Sequence, residues 1–270
     1  AFFTQKCMRF LRQFMSKGTV LFVSHDTGAV INLCERAIWL QSGVIHGDGA
    51  PKKLAEKYLE DVLRARQGSG EAVVSKVQKV EAPLVDVVHS VVDQRLEFIN
   101  GTKYRNDIEL FEFDPGATGF GTNKANIVDV RLFDQSESQL IWCVGGENVA
   151  LRIRCAANES LFSPIIGFYI KDRLGQSLFG ANTYITYHDS PLSVSAGEVV
   201  EAVFRFAMPV LPVGDYSVCV AIAEGTQSEQ VQHQWIHDAL LFKSHASSEL
   251  TALVGIPMSN VSLAIVESAS

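Results

Sequence analysis

The feature that most constrains this chain is a succession of short apolar, β-branched runs between residues 126 and 242, each closed by a turn signal. The clearest runs are 126–133, 149–155, 165–171, 199–206, 216–222 and 239–242. Asp114-Pro115-Gly116, Gly145-Gly146, Leu174-Gly175-Gln176, Ser195-Ala196-Gly197 and Pro212-Val213-Gly214-Asp215 separate them. Strands at this spacing, with no helical pattern between them, predict a two-sheet sandwich. Alternation supports it. Val128, Val130 and Leu132 share one face of their run, with Asp129 and Arg131 opposite, and Tyr216, Val218, Val220 and Ile222 alternate with smaller residues. Each such side chain stabilises by roughly 1.5–3 kcal/mol when buried, so several strands of this kind sustain a core.

The first 65 residues have a different texture. Phe3, Cys7, Phe10, Leu11 and Phe14 fall on one face of a helical pattern over 2–15 that ends at Lys17-Gly18. Residues 19–23, Thr-Val-Leu-Phe-Val, follow as an apolar run of the kind that forms a buried strand in a parallel sheet. Asp26 is placed to cap a helix running to about Cys34. Residues 37–40 and 44–46 flank a Gln41-Ser42-Gly43 turn and predict a hairpin. Gly47-Asp48-Gly49-Ala50-Pro51 then opens a last helix with Leu54, Tyr58, Leu59, Val62 and Leu63 as its apolar stripe. The expected organisation is an α/β segment over 1–65, a linker over 66–105 beginning with the flexible Gln67-Gly68-Ser69-Gly70, and a mostly β region over 106–270.

Composition narrows the function. The chain of 270 residues carries a net charge of −7. Residues 1–70 hold 10 Lys/Arg against 6 Asp/Glu, whereas residues 71–270 hold 13 against 24. An acidic region without a basic cluster cannot neutralise a nucleic-acid backbone, but it suits a neutral ligand such as a sugar chain. No run of about 18 apolar residues predicts a membrane span, and the N-terminus lacks the pattern of a secretory signal. The first residue is Ala, which predicts a fragment. Cys7, Cys34, Cys143, Cys155 and Cys219 form no metal-spaced pair and read as reduced thiols. Three glycosylation tripeptides, at Asn100, Asn158 and Asn260, carry no weight without such a signal.

Val20-Leu21-Phe22-Val23-Ser24-His25-Asp26 resembles the switch-histidine segment of ABC ATPases. Cys34 through Gly43 resembles that family's following strand and glycine turn, and 47–51 its exit into the last helix. An apolar strand ending in Ser-His-Asp places an imidazole at the carboxyl edge of a parallel sheet, where α/β folds bind ligands. By resemblance, His25 contacts the γ-phosphate of ATP and helps position the attacking water in the parent protein. Ser24, His25 and Asp26 are adjacent and so cannot form a hydrolytic triad. The sequence contains no Gly-x-x-x-x-Gly-Lys-Ser/Thr and no Leu-Ser-Gly-Gly-Gln. The chain as it stands is therefore expected to be no enzyme and to need no cofactor, with ATP and Mg belonging to the full-length parent.

Residues 115–242 resemble the C-terminal domain of the Wzt type of O-antigen exporter ATPase subunits. The resemblance is carried by Gly119-Phe120-Gly121, 125–132, 164–172 with Gly175, 178–183, 212–216 and 237–242. It implies an immunoglobulin-like sandwich that binds the exported polysaccharide and selects the transporter's cargo. It also implies a membrane-spanning transporter subunit and a second ATPase subunit as partners, at the cytoplasmic side of a Gram-negative inner membrane.

A sugar presents apolar C–H faces and many hydroxyls, so its site combines aromatic rings with short polar groups. Two segments have that composition, 182–189 and 233–238. Tyr184, Tyr187 and Trp235 are expected to stack on sugar rings, and Asn182, His188 and Asp189 to bind hydroxyls; Trp235 and one tyrosine are equally suited to filling the core. Trp142 is a weaker candidate because it lies in a strand-like apolar run. His233, His237 and Asp238 lack a helical setting and a further ligand, so no metal is expected. Two other roles remain open at this stage. The sandwich could dimerise the ATPases without touching glycan, or it could hydrolyse glycan with two carboxylates about 5–9.5 Å apart.

Overall fold

The computed structural model describes residue 14 and residues 18–25, 27–67, 93–226, 230–245 and 252–263. They fall into two compact units, one of residues 1–65 with 174–176 and the other of residues 66–173 and 177–270. The helical pattern over 2–15 lies outside the described residues except for residue 14, as do Asp26 and most of the expected linker.

In the first unit, α1 (Thr27–Leu33) leads into β1 (Ala37–Gln41) and β2 (Val44–Gly49), followed by α2 (Pro51–Gln67). Ser42 and Gly43 have φ of 49° and 80°. Positive φ at both central residues is the two-residue turn whose twist matches a hairpin. Pro51 opens α2, where its missing N–H costs nothing. Leu54 is buried and the Trp39 ring meets Tyr58 edge-on at 6.0 Å, which packs α2 on the hairpin. The expected parallel strand over 19–23 does not form. Leu21 and Val23 are 90% and 87% exposed, because among the described residues no neighbouring parallel strand offers them a ladder or a covered face.

The second unit is a sandwich. Its larger sheet runs β10 (Ser177–Asn182), β9 (Pro164–Asp172), β13 (Gly214–Gly225), β14 (Gln230–Ser244), β3 (Asp107–Phe113), β6 (Trp142–Val144). The short β4 (Gly119–Phe120) also pairs with β14, at Trp235 and Ile236, while β3 pairs with it further along. The facing sheet runs β12 (Val199–Ala207), β7 (Asn148–Ala157), β5 (Ala125–Phe133), and β8 (Leu161–Phe162) pairs with β11 (Ser193–Val194). All these pairs are antiparallel. Ile153, Val130 and Leu151 from the smaller sheet meet Phe168, Val218, Val220, Ile222, Ile236 and Phe242 from the larger in one buried cluster.

The strand arrangement is immunoglobulin-like: β5-β7-β12 faces the sheet built on β9-β13-β14, and a tyrosine corner marks the crossover. Tyr216, at the start of β13, donates its hydroxyl to the Pro212 carbonyl at 2.8 Å. Burial pushes that phenol up to about 12. One alternation shifts phase. A bulge between Ile127 and Asp129 leaves Val128 47% exposed, and Ile127, Val130 and Leu132 face the core.

Within the expected linker, α3 (Leu96–Asn100) follows a clasp centred on Asp93. Its buried carboxylate accepts hydrogen bonds from the Arg95 side chain at 2.9 and 3.0 Å and from the Met258 N–H at 2.9 Å. The Arg95 guanidinium holds that carboxyl down at about 2.

Candidate functional site

Residues directly opposite one another in an antiparallel sheet project from the same face. On β13, Val218, Val220 and Ile222 point into the core, so Cys219 and Ala221 belong to the outer face of the larger sheet, together with Tyr169 of β9 and Trp235 of β14. The small residues of β13 let the flanking rings close over them. Tyr169 stacks on Trp235 at 6.1 Å and 26°, and Trp235 on Phe120 at 6.0 Å and 15°. An aromatic row thus crosses the sheet, buried at Phe120 and Trp235 and ending at Tyr169, whose ring is 44% exposed.

The row is fixed from behind. The Trp235 Nε1–H donates to His237 Nδ1 at 3.3 Å. A Cβ on Gly119 would lie 2.4 Å from the Trp235 carbonyl oxygen, so only glycine lets β4 approach β14 this closely. Below it, the buried His233 spans Thr122 Oγ1 at 2.9 Å and Glu224 Oε2 at 3.2 Å, and the other Glu224 oxygen accepts the Phe162 N–H at 2.7 Å. Burial pushes the Glu224 carboxyl up, but the bonds from His233 and Phe162 outweigh it and leave it below the usual range.

Beyond Tyr169, β10 ends in the other segment singled out by sequence. Gly180 is opposite Tyr169, and a Cβ there would meet the Phe168 carbonyl at 2.2 Å and the Tyr169 ring at 2.8 Å. Asn182 Oδ1 accepts the Tyr184 N–H at 3.0 Å, which turns the chain into the one-turn α4 (Tyr184–Tyr187). Thr183 anchors that turn, accepting the Ile166 N–H on its hydroxyl and donating its own N–H to the Ile166 carbonyl. His188 Nδ1 donates to the Ile185 carbonyl at 2.7 Å, Nε2 lies 3.2 Å from Asp189, and the ring is 6.0 Å from that of Tyr184. Tyr184 and Tyr187 are half-buried, while His188 and Asp189 are exposed.

Tyr184, His188 and Asp189 are therefore in contact, with Asn182 at the turn before them and Tyr187 in the same helical turn. Of the two places expected for Trp235, the structure shows the packed one rather than the open stacking platform. Trp235 is 8% exposed with a ring on each side, so it supports Tyr169 and offers no free face. Tyr169 was legible in principle, since strict alternation sets it outward between the core residues Phe168 and Ile170. His25, the candidate for ATP chemistry in the parent, is exposed at the bend before α1. Among the described residues no helix is long and apolar enough to cross a membrane.

Comparison with known proteins gives three findings. The family described as Wzt C-terminal domain matches residues 116–256, just over half of the chain. Curated relatives include the teichoic acids export ATP-binding protein TagH of Listeria innocua, 43% identical over 61 residues, which are 22% of this chain and 18% of that protein. They also include the O-antigen export system ATP-binding protein RfbB of Klebsiella pneumoniae, 35% identical over 57 residues, 21% of this chain and 23% of that one. The chain thus spans less than a quarter of the length of either relative. The crystal structure of the C-terminal domain of Wzt matches 56% of this chain and 91% of its own, at 21% identity and a TM-score of 0.45. On the family match across its sandwich, the chain belongs to the Wzt C-terminal domain family.

Proposed function

We propose that the sandwich recognises the polysaccharide cargo of an ABC exporter, an O-antigen chain in a Gram-negative cell, on the outer face of its larger sheet. The observation that carries this reading is the exposed Tyr169 ring, braced by Trp235 and Phe120, beside a cluster of two tyrosines, Asn182, His188 and Asp189. A rigid ring plane takes the C–H face of a sugar, and the short polar groups take its hydroxyls. The local matches to ATP-binding proteins of teichoic acid and O-antigen export support the same setting. In the parent protein, ATP and Mg would be held by an ATPase domain to which His25 contributes, and this chain alone would not hydrolyse ATP. The parent would work as a homodimer beside a membrane-spanning subunit, at the cytoplasmic face of the inner membrane.

Titration calorimetry of the full chain against O-polysaccharides from several serotypes tests the reading. Selective binding of one of them is expected, weakened by Tyr187→Ala or His188→Ala. Absence of binding to all of them by a folded, dimeric sample would instead make the sandwich a dimerisation domain.

A further inference from the structure

The outer face of the larger sheet carries a second exposed aromatic group, on the strands farthest from β10. Trp142 opens β6 with its indole 47% exposed, whereas Cys143 and Val144 are buried. The His245 ring lies along it at 5.5 Å and 28°, and His245 Nε2 is 2.9 Å from Glu109 Oε2. Glu109 is the cross-strand partner of Trp142 on one side and of Lys243 on the other, and Lys243 is in turn paired with Asp215. Four strands therefore present one row, Trp142, Glu109, Lys243, Asp215, on the face opposite the buried Ile108, Cys143 and Phe242.

Alternating charges across strands stabilise a sheet by themselves. They do not account for an indole left half in water at the head of the row, since a ring of that size gains from being covered. An indole held along one face by an imidazole, with the Glu109 carboxylate on the next strand and the Lys243 ammonium on the strand after it, offers a stacking plane, an acceptor and a donor in one row. Those are the groups a sugar ring uses.

We propose that Trp142, with Glu109 and Lys243, is a second carbohydrate contact, so that one polysaccharide chain is held at two points on the same sheet face. The inference rests on the reading that the Tyr169 region binds glycan. It adds that the ligand is a stretch of several sugars. From β9 to β6 is four steps in the strand order, roughly 19 Å at about 4.8 Å per step. The row of Trp142 meets β13 at Asp215, four residues or about 13 Å along the strand from Cys219 opposite Tyr169, so the two aromatic groups stand roughly 23 Å apart on the sheet. One monosaccharide cannot bridge that span, whereas an oligosaccharide can. The acidic balance of residues 71–270, 13 Lys/Arg against 24 Asp/Glu, favours a neutral chain over an anionic one.

The test is calorimetry on the full chain with the O-polysaccharide that the serotype panel selects, and with short oligosaccharides released from it by mild acid. Trp142→Ala is expected to weaken the polysaccharide by roughly three- to ten-fold, the scale of one lost aromatic contact, and to leave the short fragments unchanged. Trp142→Phe should restore most of the loss, and Tyr187→Ala should weaken both ligands. Unchanged polysaccharide affinity in Trp142→Ala would overturn the second contact while leaving the Tyr169 site standing. So would an equal loss for polymer and fragments. If no polysaccharide binds the unaltered chain, both proposals fall.

Discussion

Replacing Trp235 separates a buried brace from a ligand platform. Its ring is 92% removed from solvent, between Phe120 and Tyr169, and its N–H is bonded to His237. Truncation to Ala removes the ring from a packed site and leaves a cavity, a change that costs about 3–5 kcal/mol for a buried Trp. Trp235→Phe keeps a flat ring between the same neighbours and loses chiefly the hydrogen bond, about 1 kcal/mol. Urea unfolding followed by far-UV circular dichroism reads both, since the signal does not depend on the lost indole. At a slope of about 2 kcal/mol/M the Ala variant should shift the sandwich's midpoint down by about 2 M, and the Phe variant by about 0.5 M. Trp235→Phe should also keep glycan affinity, because Tyr169 stays braced. A loss below about 1 kcal/mol for Trp235→Ala, or a Phe variant that folds normally but no longer binds polysaccharide, would refute the assignment of Trp235 as a support.

Other expectations follow from the buried polar groups and the cluster. Asn106 is fully buried, accepts the Leu211 N–H at 2.9 Å and donates to the Leu211 carbonyl and Ser244 Oγ; Asn106→Ala should cost about 3 kcal/mol in the same assay, because partners are left unpaired. The folded Asp93 carboxyl titrates at about 2, below the unfolded value near 3.9, so its contribution is present above that value and lost as pH falls from about 4 to about 2. The shift corresponds to about 2 kcal/mol, and Asp93→Asn should remove it, with faster amide exchange at Met258 as the local readout. His188→Ala should weaken polysaccharide binding several-fold without lowering the urea midpoint, since its side chain is exposed.

The runs predicted at 126–133, 149–155, 165–171, 199–206 and 216–222 all appear as strands, because each has a clear apolar face and a glycine- or proline-bearing turn at its end. β14 was harder to read. It extends over Gln230–Ser244, but Asp238 sits at φ 52° within a bulge, so alternation breaks at the point where the run would have been recognised. β10 is not among the predicted runs because Gly180 and Asn182 interrupt its apolar pattern, although a Cβ at Gly180 would meet the Phe168 carbonyl at 2.2 Å, so the glycine is what lets β10 pair with β9 there. For the candidate site, composition singled out 182–189, whose residues are contiguous. Alternation along 165–171 sets Tyr169 outward, but its bracing by Trp235, and the covering of Trp235 itself, depend on which strands become neighbours. The strand expected over 19–23 failed for the same reason in reverse, as its pattern calls for partners that the described residues do not supply.

The most direct test of the central claim is hydrogen exchange on the full chain, with and without the selected O-polysaccharide. Slower exchange in the β9–β10 region and residues 182–189, with the opposite face at β5 and β12 unchanged, is the expected result, and the second contact adds slower exchange around Trp142 on β6 and Glu109 on β3. Binding that left these segments unprotected, or that protected the smaller sheet instead, would contradict the assignment of the outer face as the glycan site.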